Sequence, residues 1–520
     1  MFAKTGYFAF FCNTTKSKSK MKKFIILTIT ACFFALLGAS AANTDNQQKG
    51  KALSKAELLN DYDYFFGKFE EIHPNPYDAF GGKDEFRKSV GQLREKLAAE
   101  DSLTLNNMQF EVTKLLSVLH DGHTNMGYPE MPKKAANAWI PLNLKVIRDG
   151  FVVDGWLPQF AFLKGARLQE IEGTPLETLL ERLDKIHVTE NRYGLLGKAC
   201  NSLCHNNSLR QILPGFVRDS LGMRFRLSNG GDTLVYVPFF PNGDVWKKFV
   251  KSPQDSRFPK KNFEFRFADD KRQTMVMCIN SITSADIPNY KDSEVIVAED
   301  FDKMLREMKA AKSKRLIIDL RGNGGGWTMI MYAALYQLYG ERFLKTDMGM
   351  NFSVKISEEY LKKNNTTIEQ FNKANGTSLG IGDFFDEPTG IDNIDNFMCA
   401  NTNILKELKG KPVYTPKEIF VVTDQWTFSA AFHLAYLMHK MGAKIVGVPS
   451  GQAPNTYMEC TLFSLPNSGQ QCSVSNSIQR CYPDGDKRAR VFTPDIELSY
   501  DDYRKFDFNR DAELLYLLKK

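Results

Sequence analysis

The chain has 520 residues, of which 43% are hydrophobic and 25% charged, which suits two or three domains with a core each. Its formal net charge is +7, but six of its 68 basic residues are lysines within residues 1–42, where no acidic residue occurs. Beyond that segment 62 basic residues stand against 61 acidic ones, so the remainder is nearly neutral. This balance argues against a nucleic-acid partner, which needs a clustered basic surface.

Residues 1–42 have the pattern of a leader. We expect an upstream extension over residues 1–20 and a secretory signal peptide over 21–42, with two lysines, an apolar stretch and the small residues Ala-Ser-Ala at 39–41. The apolar stretch is too short to span a membrane. Cys32 ends a pattern that resembles a lipoprotein cleavage box, but mostly apolar or small residues follow it, which disfavours a lipid anchor. The expectation is an exported protein, periplasmic or extracellular.

Seven cysteines follow residue 42: Cys200, Cys204, Cys278, Cys399, Cys460, Cys472 and Cys481. Export permits disulfides, and Cys200 with Cys204 and the late group of three are candidates, although spacing alone sets no pairing. A zinc site in the late group is the alternative. It is disfavoured because the group lacks paired C-x-x-C spacing and nearby histidines.

The first predicted domain, residues 43–135, is helical. Apolar residues at three- and four-residue spacing predict helices over 54–72, 84–99 and 105–119. Residues 136–270 are predicted as a β-rich segment, with strands over 140–147 and 150–154. A strand, turn and helix over 166–183 resemble part of a degenerate PDZ-like module, and residues 190–270 are predicted as strands and loops.

Residues 271–520 are predicted as an α/β domain. Strands over 275–279, 316–320, 419–423 and 444–448 alternate with helices over 295–310, 328–339 and 429–441. Such alternation predicts a mainly parallel sheet covered by helices. The polar, asparagine-rich stretch at 345–410 is predicted as an insert running over the surface. The fold class is therefore α/β within a multidomain α+β chain.

A glycine-rich turn follows the strand at 316–320 and precedes a helix. Glycines at 322, 324, 325 and 326 let backbone N–H groups converge, and such a turn at a helix N-terminus stabilises negative charge. That charge is either a phosphate or the oxyanion of an acyl transfer. A nucleotide site is disfavoured because the turn lacks both the dinucleotide G-x-G-x-x-G spacing and the Lys-Ser/Thr of a P-loop.

Ser429 lies on a second strand-to-helix turn, where acyl-transfer enzymes place a nucleophile; capping the helix is its alternative role. A serine nucleophile needs a base. Among seven histidines, His123 in Asp121-Gly-His-Thr124 is the candidate, and its alternatives are a helix-ending turn or half of a metal site without a third ligand. His433 lies one turn into the helix of Ser429 and is predicted to be packing or surface.

The three motifs occur in an order that resembles the tail-specific (C-terminal-processing) serine peptidase family. The resemblance is closest to the branch that, like the tricorn core peptidase, uses a histidine base. It implies an N-terminal helical part, a degenerate PDZ-like segment and a catalytic core of crotonase/ClpP-like type. The Ser–Lys branch is disfavoured, because no lysine occurs between Lys444 and Lys487.

The resemblance also implies roles for single residues. Ser429 matches the nucleophile and His123 the general base, and the oxyanion hole corresponds to Gly324, Gly325, Gly326 and the N–H of Ala430. The related peptidases orient their base with a late glutamate that is missing here; Asp484, Asp486 and Glu459 are the candidates instead. They also carry a serine directly before the histidine, where this chain has Gly122.

The expected function is that of a secreted serine endopeptidase cleaving unfolded or C-terminally exposed protein segments. No metal or organic cofactor is implied, the partner is a protein or peptide substrate, and no pattern sets an oligomeric state. The alternative is a catalytically inactive peptide- or ligand-binding protein on the same fold, with Ser429 dispensable. An esterase or amidase acting on small acyl substrates would share the site chemistry.

Overall fold

The computed structural model describes residues 53–127, 138–241, 243–282, 290–387, 394, 397 and 403–520. The predicted signal peptide, Cys32 and Cys399 lie outside these residues.

Three helices open the described chain, each close to its predicted bounds. A capping box begins the first, since the Ser54 side chain accepts from the Glu57 N–H and the Glu57 side chain bonds back to the Ser54 N–H. Their apolar faces form one core together with Phe463 and Val474 from the far end of the chain. The bounds are α1 Lys55–Ile72, α2 Lys83–Ala99 and α3 Leu105–Leu116.

A seven-stranded antiparallel sheet follows, beside a separate two-stranded pair of β1 and β8, and the strand, turn and helix predicted at 166–183 are present as β4, β5 and α4. The elements are β1 Ala138–Trp139, β2 Leu142–Ile147, β3 Gly150–Trp156, β4 Arg167–Ile171, β5 Thr174–Pro175, α4 Leu176–Asp184, α5 Arg192–Ser202, α6 Asn206–Ile212, β6 Ser220–Arg226, β7 Asp232–Pro238, β8 Phe240–Pro241 and β9 Val250–Lys251. The main strand order is β2-β3-β4-β6-β7, with β5 on β4 and β9 on β3.

The prediction of strands and loops over residues 190–270 is wrong for its first part, which holds α5 and α6. Asn191 caps α5 by accepting from the N–H groups of Tyr193 and Gly194. Leu195, Leu196 and Ala199 are buried on one face of α5 at helical spacing, so a helical signal was present in the sequence.

Strands alternate with helices in the second half, as predicted. The elements are β10 Glu264–Phe267, β11 Thr274–Cys278, α7 Tyr290–Ala311, β12 Arg315–Asp319, α8 Tyr332–Tyr339, α9 Glu341–Lys345, β13 Asn351–Lys355, α10 Glu358–Lys363, α11 Ile368–Asn375, β14 Phe384–Asp386, α12 Asn403–Lys406, β15 Glu418–Thr423, α13 Ala430–Lys440, β16 Lys444–Gly447, β17 Thr456–Ser464, β18 Gln471–Arg480, α14 Tyr500–Lys505 and α15 Ala512–Lys519.

Five of these strands form one sheet in the order β10-β11-β12-β15-β16, parallel throughout except between β10 and β11. Both faces are covered: Leu316 and Ile318 pack in the core that includes α7, α8 and α13, and Ile317 packs in the core that includes α14 and α15. This is the predicted mainly parallel α/β core. Because β12 and β15 are parallel neighbours, the turns that follow them lie at the same edge of the sheet.

The insert is not only a surface excursion, and this part of the prediction is wrong. Its strands β13 and β14 join β17 and β18 in a four-stranded antiparallel sheet of order β14-β13-β18-β17. Strand β18 is rich in serine, asparagine and glutamine yet mostly buried. A hydropathy pattern does not predict this strand because its buried side chains are mostly polar. They are stabilised by hydrogen bonds to neighbouring segments rather than by apolar contacts.

The described cysteines are free, in contrast to the disulfides considered above: Cys200, Cys204, Cys278, Cys460, Cys472 and Cys481. Cys460 lies opposite Ser475 and Cys472 opposite Phe463 in the β17–β18 pair, so their thiols are not cross-strand neighbours. No helix among the described residues is both long and apolar enough to cross a membrane.

Candidate active site

The two strand-to-helix turns are bonded to each other. The Gly322 N–H donates to Asp424 Oδ1 over 3.0 Å, and the Phe428 N–H donates to the Asn323 carbonyl over 3.0 Å. The Thr427 hydroxyl also donates to the Leu320 carbonyl over 3.0 Å. Two motifs more than a hundred residues apart therefore form one rigid unit at the edge of the sheet.

Ser429 occupies a strained position in this unit. Its φ of 54° and ψ of −125° lie outside the regions that non-glycine residues ordinarily adopt, and its side chain makes no capping hydrogen bond to α13. The helix-cap alternative is therefore wrong. Strain of this kind persists only where the surroundings hold it, and a serine on a sharp strand-to-helix turn is the geometry of a nucleophile elbow.

The glycine turn lies directly against Ser429. A Cβ on Gly325, whose φ is 109°, would lie 2.7 Å from Ser429 Cβ and 3.0 Å from the Ala430 nitrogen. The Gly325 N–H donates to Asn323 Oδ1 over 2.9 Å, so it is occupied rather than open as predicted. Within the described part of the chain, the N–H groups of Gly324, Gly326 and Ala430 donate to no acceptor.

His123 lies on the turn that follows α3, and Asp121 builds that turn. The buried Asp121 carboxylate accepts from the His123 N–H and the Ser475 hydroxyl, each over 2.9 Å, and from the Thr124 hydroxyl. His73 Nε2 lies 3.3 Å from its other oxygen. Burial raises the pKa of Asp121, but the neighbouring His73 outweighs it, so the pKa is below its usual value.

The imidazole of His123 packs on the residue before the serine. Its ring centroid is 5.0 Å from that of Phe428, with 32° between the ring planes. His123 is 4% exposed and Ser429 6%, so both residues are buried at the same edge of the sheet. The structure thus brings the predicted base to the segment that carries the predicted nucleophile.

Glu190 is the acid beside the imidazole, and it was missed in the sequence. Its Oε1 lies 3.5 Å from His123 Nδ1 and accepts from the Gly122 N–H over 3.3 Å, while its Oε2 accepts from the Ala453 N–H over 2.9 Å. The side chain is buried. Glu190 stands in the loop between α4 and α5, and nothing in a single sequence marks that loop as facing His123.

The same contacts explain the glycine before the histidine. A Cβ on Gly122 would lie 2.9 Å from Glu190 Oε1 and 2.8 Å from Phe428 Cζ. A serine at this position would have to displace the ends of both side chains. Glycine at 122 therefore allows Glu190 and Phe428 to lie against this turn.

The charge of Glu190 acts on the base. Burial lowers the pKa of His123, but the hydrogen bond and charge of Glu190, with the charges of Asp121 and Glu459, raise it further than burial lowers it. The net pKa is above the usual value. Glu190 therefore favours the imidazolium that a general base becomes during catalysis.

Two of the predicted orienting acids lie elsewhere. The Asp484 side chain is 84% exposed and pairs with Arg480 over 3.8 Å, and Asp486 pairs with Arg488 over 2.6 Å. Both are held at the surface by arginines rather than at the base. Glu459 is partly buried in β17 and interacts electrostatically with His123, and burial raises the pKa of its carboxyl.

His433 is a packing residue, as predicted. Its Nδ1 lies 2.9 Å from Thr328 Oγ1 and its Nε2 lies 2.6 Å from Gln479 Oε1. Burial lowers its pKa to about 4, so it is neutral near pH 7. The described residues contain no group of three or more histidine, cysteine, aspartate or glutamate side chains arranged to hold a metal ion.

Comparison with known proteins identifies the domain that contains the glycine turn and the Ser429 turn. The sequence of residues 281–498 matches the model of peptidase family S41. Those residues belong to family S41. These residues make the domain that they form a serine-type peptidase, a hydrolase acting on protein. Ser429 and the glycine turn lie inside the matched S41 residues, whereas His123 and Glu190 lie outside them.

Solved structures show how far the fold extends beyond the S41 residues. The structure of mature CPAF has a TM-score of 0.53 at 16% identity, covering 89% of this chain and 98% of that one. Mature CPAF complexed with lactacystin has a TM-score of 0.52 at 17% identity, covering 89% and 99%. A photosystem II D1 C-terminal processing protease matches at 0.37 and 13%, covering 86% and 95%. No curated protein sequence matches the chain.

Proposed function

We propose that this chain is an exported serine endopeptidase that cleaves unfolded or C-terminally exposed protein segments through an acyl-enzyme. In this proposal Ser429 is the nucleophile, His123 the general base and Glu190 the acid that orients it. Glu190 takes the place that Asp484, Asp486 and Glu459 were considered for.

One observation carries the proposal: two adjacent residues hold the nucleophile and the acid. Gln452 Oε1 accepts from the Ser429 N–H over 2.5 Å, and the Ala453 N–H donates to Glu190 Oε2 over 2.9 Å. The other Glu190 oxygen faces His123 Nδ1. The loop thus holds the proposed nucleophile and the proposed acid, and the acid in turn faces the proposed base, which is the arrangement that acyl transfer requires.

The proposed reaction uses only these side chains and water. Ser429 Oγ bonds to the acyl carbon of the scissile peptide while its proton passes to His123, and the carbonyl electron pair moves to the oxygen. Collapse of this intermediate expels the amine, which takes the proton from His123. Water then attacks the acyl-enzyme, giving its proton to His123, which returns a proton to Ser429 as the acid product leaves.

The proposal of export rests on residues 21–42. Cleavage after the small residues at 39–41 would leave a chain without Cys32. Intact mass of the exported protein tests this. A chain that begins near residue 43 supports the proposal, and a diacylglycerol adduct on Cys32 contradicts it.

The activity test is turnover of casein by the purified protein, by Ser429→Ala and by His123→Ala. We expect turnover by the wild type and none above background by either variant. His439→Ala is the matched histidine control, since that side chain is 35% exposed and pairs with Asp495. No turnover by wild type would contradict the proposed function, and turnover by His123→Ala would mean that another group is the base.

A further inference from the structure

Gln452 carries a buried hydrogen-bond donor beside the nucleophile. The side chain is fully buried, its Oε1 accepts from the Ser429 N–H, and its Nε2 has no acceptor among the described residues. A buried donor that lacks an acceptor loses its hydrogen bonds to water without replacement, so such groups are rare and need an explanation.

The orientation of this amide is fixed by its neighbour. Reversing the carboxamide would set its NH₂ group against the Ser429 N–H, donor against donor. The backbone is held as well: the Gln452 N–H donates to Ser450 Oγ over 3.0 Å, and the Ser450 hydroxyl donates to the Thr427 carbonyl over 2.5 Å. Nε2 is therefore held beside the Ser429 turn without an acceptor among the described residues.

The position of Gln452 Nε2 is significant because two backbone N–H groups near Ser429 are already occupied and cannot bind an oxyanion. The N–H of a nucleophilic serine can hold the developing negative charge, but here the Ser429 N–H is occupied by Gln452, and the Gly325 N–H is occupied by Asn323. The open backbone donors are those of Gly324, Gly326 and Ala430. Gln452 removes one donor of the serine turn and presents another from its own amide.

We propose that Gln452 Nε2–H is an oxyanion-hole donor, binding the carbonyl oxygen of the scissile peptide as negative charge develops on it. The inference rests on the proposed function. In the step already described, the electron pair that moves to the oxygen is met by this N–H, and no bond of Gln452 itself is made or broken. Gln452 then has two roles: its oxygen holds the nucleophile's backbone and its nitrogen holds the reacting atom of the substrate.

Gln452→Glu separates the two roles. Glutamate keeps an oxygen for the Ser429 N–H but replaces the Nε2 donor with a second acceptor of similar shape. We expect kcat on casein to fall by about 10²–10³-fold with KM within about threefold, because the donor acts on the transition state. A melting temperature near that of the wild type shows that the Ser429 turn is kept.

The pH profile separates out one effect of the added charge, the change in the pKa of His123, and the uncharged variant Gln452→Met controls for repulsion of the oxyanion. A carboxylate at 452 that acted only by raising the pKa of His123 would move the acidic limb of kcat/KM upward and leave the plateau at high pH unchanged. Loss of the donor lowers the plateau itself. Gln452→Met, which removes donor and acceptor, gives the second variant should the glutamate impair folding; its kcat is expected to fall at least as far.

The outcomes are distinct. A lowered plateau in both Gln452→Glu and the uncharged Gln452→Met, with wild-type melting, supports the inference. An active wild type together with a folded Gln452→Glu or Gln452→Met at wild-type plateau kcat overturns the inference and leaves the proposed function standing. A wild type that neither turns over casein nor reacts with a serine-directed phosphonate overturns both.

Discussion

Glu190, which the sequence did not single out, contacts three separate parts of the candidate site: His123, Gly122 and Ala453. Its two oxygens connect the turn of His123 and Gly122 to the loop at Ala453. The sequence could propose Ser429 and His123 as nucleophile and base because each lies in a motif with a local signature. It missed the acid because the contact between Glu190 and His123 is made by tertiary packing across 67 residues of sequence.

At this residue we predict a change in the pH dependence. Glu190→Gln removes a negative charge that raises the pKa of His123, so the pKa falls and the acidic limb of kcat/KM moves to lower pH. The plateau falls as well, by about 10²–10⁴-fold, because the imidazolium loses its partner. Casein turnover from pH 4 to 9 measures both. An unshifted limb would contradict the role of Glu190.

The exposed pair of Asp486 and Arg488 provides the control. Asp486→Asn removes a carboxylate that was also considered as the orienting acid, but one held at the surface. Its pH profile should overlay that of the wild type. A loss of activity in Asp486→Asn comparable with that in Glu190→Gln would return the assignment to the late segment.

At the scale of elements, the glycine turn depends on the space at one position. A Cβ on Gly325 would meet the Phe428 carbonyl at 2.8 Å and Ser429 Cβ at 2.7 Å, whereas a Cβ on Gly324 would meet nothing within 4 Å. The sequence showed several equivalent glycines. Only the contact with the Ser429 turn distinguishes Gly325 from the other glycines, and that contact follows from the pairing of β12 with β15.

Gly325→Ala should therefore abolish casein turnover or lower it by at least about 10²-fold, since it displaces either the nucleophile or the turn. Gly324→Ala keeps its N–H and has room for its methyl group, so its activity should stay within about tenfold of wild type. Parallel kcat measurements on the two variants are the test. Equal losses would contradict the packing of Gly325 on Ser429.

The parallel sheet was predictable because buried apolar strands alternated with helices at regular spacing. The sheet of β13, β14, β17 and β18 was not, since β18 buries a polar sequence and its partner β13 lies in what reads as a loop insert. This sheet has a direct bearing on the site, because Asn125 pairs with Ser473 of β18 and so fixes the turn of His123.

At the scale of the whole molecule, the C-terminal helix is tied to the catalytic turn by buried charges. Arg321, directly before the glycine turn, lies 2.7 Å from Asp319, 2.9 Å from Asp511 and 3.1 Å from Glu513. The side chains of Asp511 and Glu513 are almost fully buried. Burial raises the pKa of both, but Arg321 and the lysines beside them lower it further, so each pKa is below its usual value.

We predict that Arg321→Met lowers the free energy of unfolding by about 3–5 kcal/mol at pH 7, because the buried carboxylates lose the guanidinium they share, although Lys260 remains beside Asp511 and Lys145 beside Glu513. Arg504→Met, which breaks an exposed pair with Asp501, should cost at most about 1 kcal/mol. Urea unfolding of both variants measures the difference. A loss in Arg321→Met no larger than that in Arg504→Met would contradict a stabilising role for the buried contacts of Arg321.

The same buried carboxylates make the free energy of unfolding depend on pH in the acidic range. Carboxylates with a lowered folded-state pKa contribute stability above their unfolded pKa, near about 4, and lose it as pH falls through the folded value. The difference between wild type and Arg321→Met should therefore narrow below about pH 4. Urea unfolding repeated at pH 3 tests this, and a difference that stays constant with pH would contradict it.

Activation of Ser429 by His123 is measured by intact-mass and peptide analysis after treatment with a peptidyl diphenyl phosphonate, since only an activated serine reacts. We expect one adduct, on Ser429, in the folded wild type, and none in Ser429→Ala, in His123→Ala over the same time, or in unfolded protein. A folded wild type that stays unlabelled, or an adduct on another residue, would contradict the proposed role of Ser429.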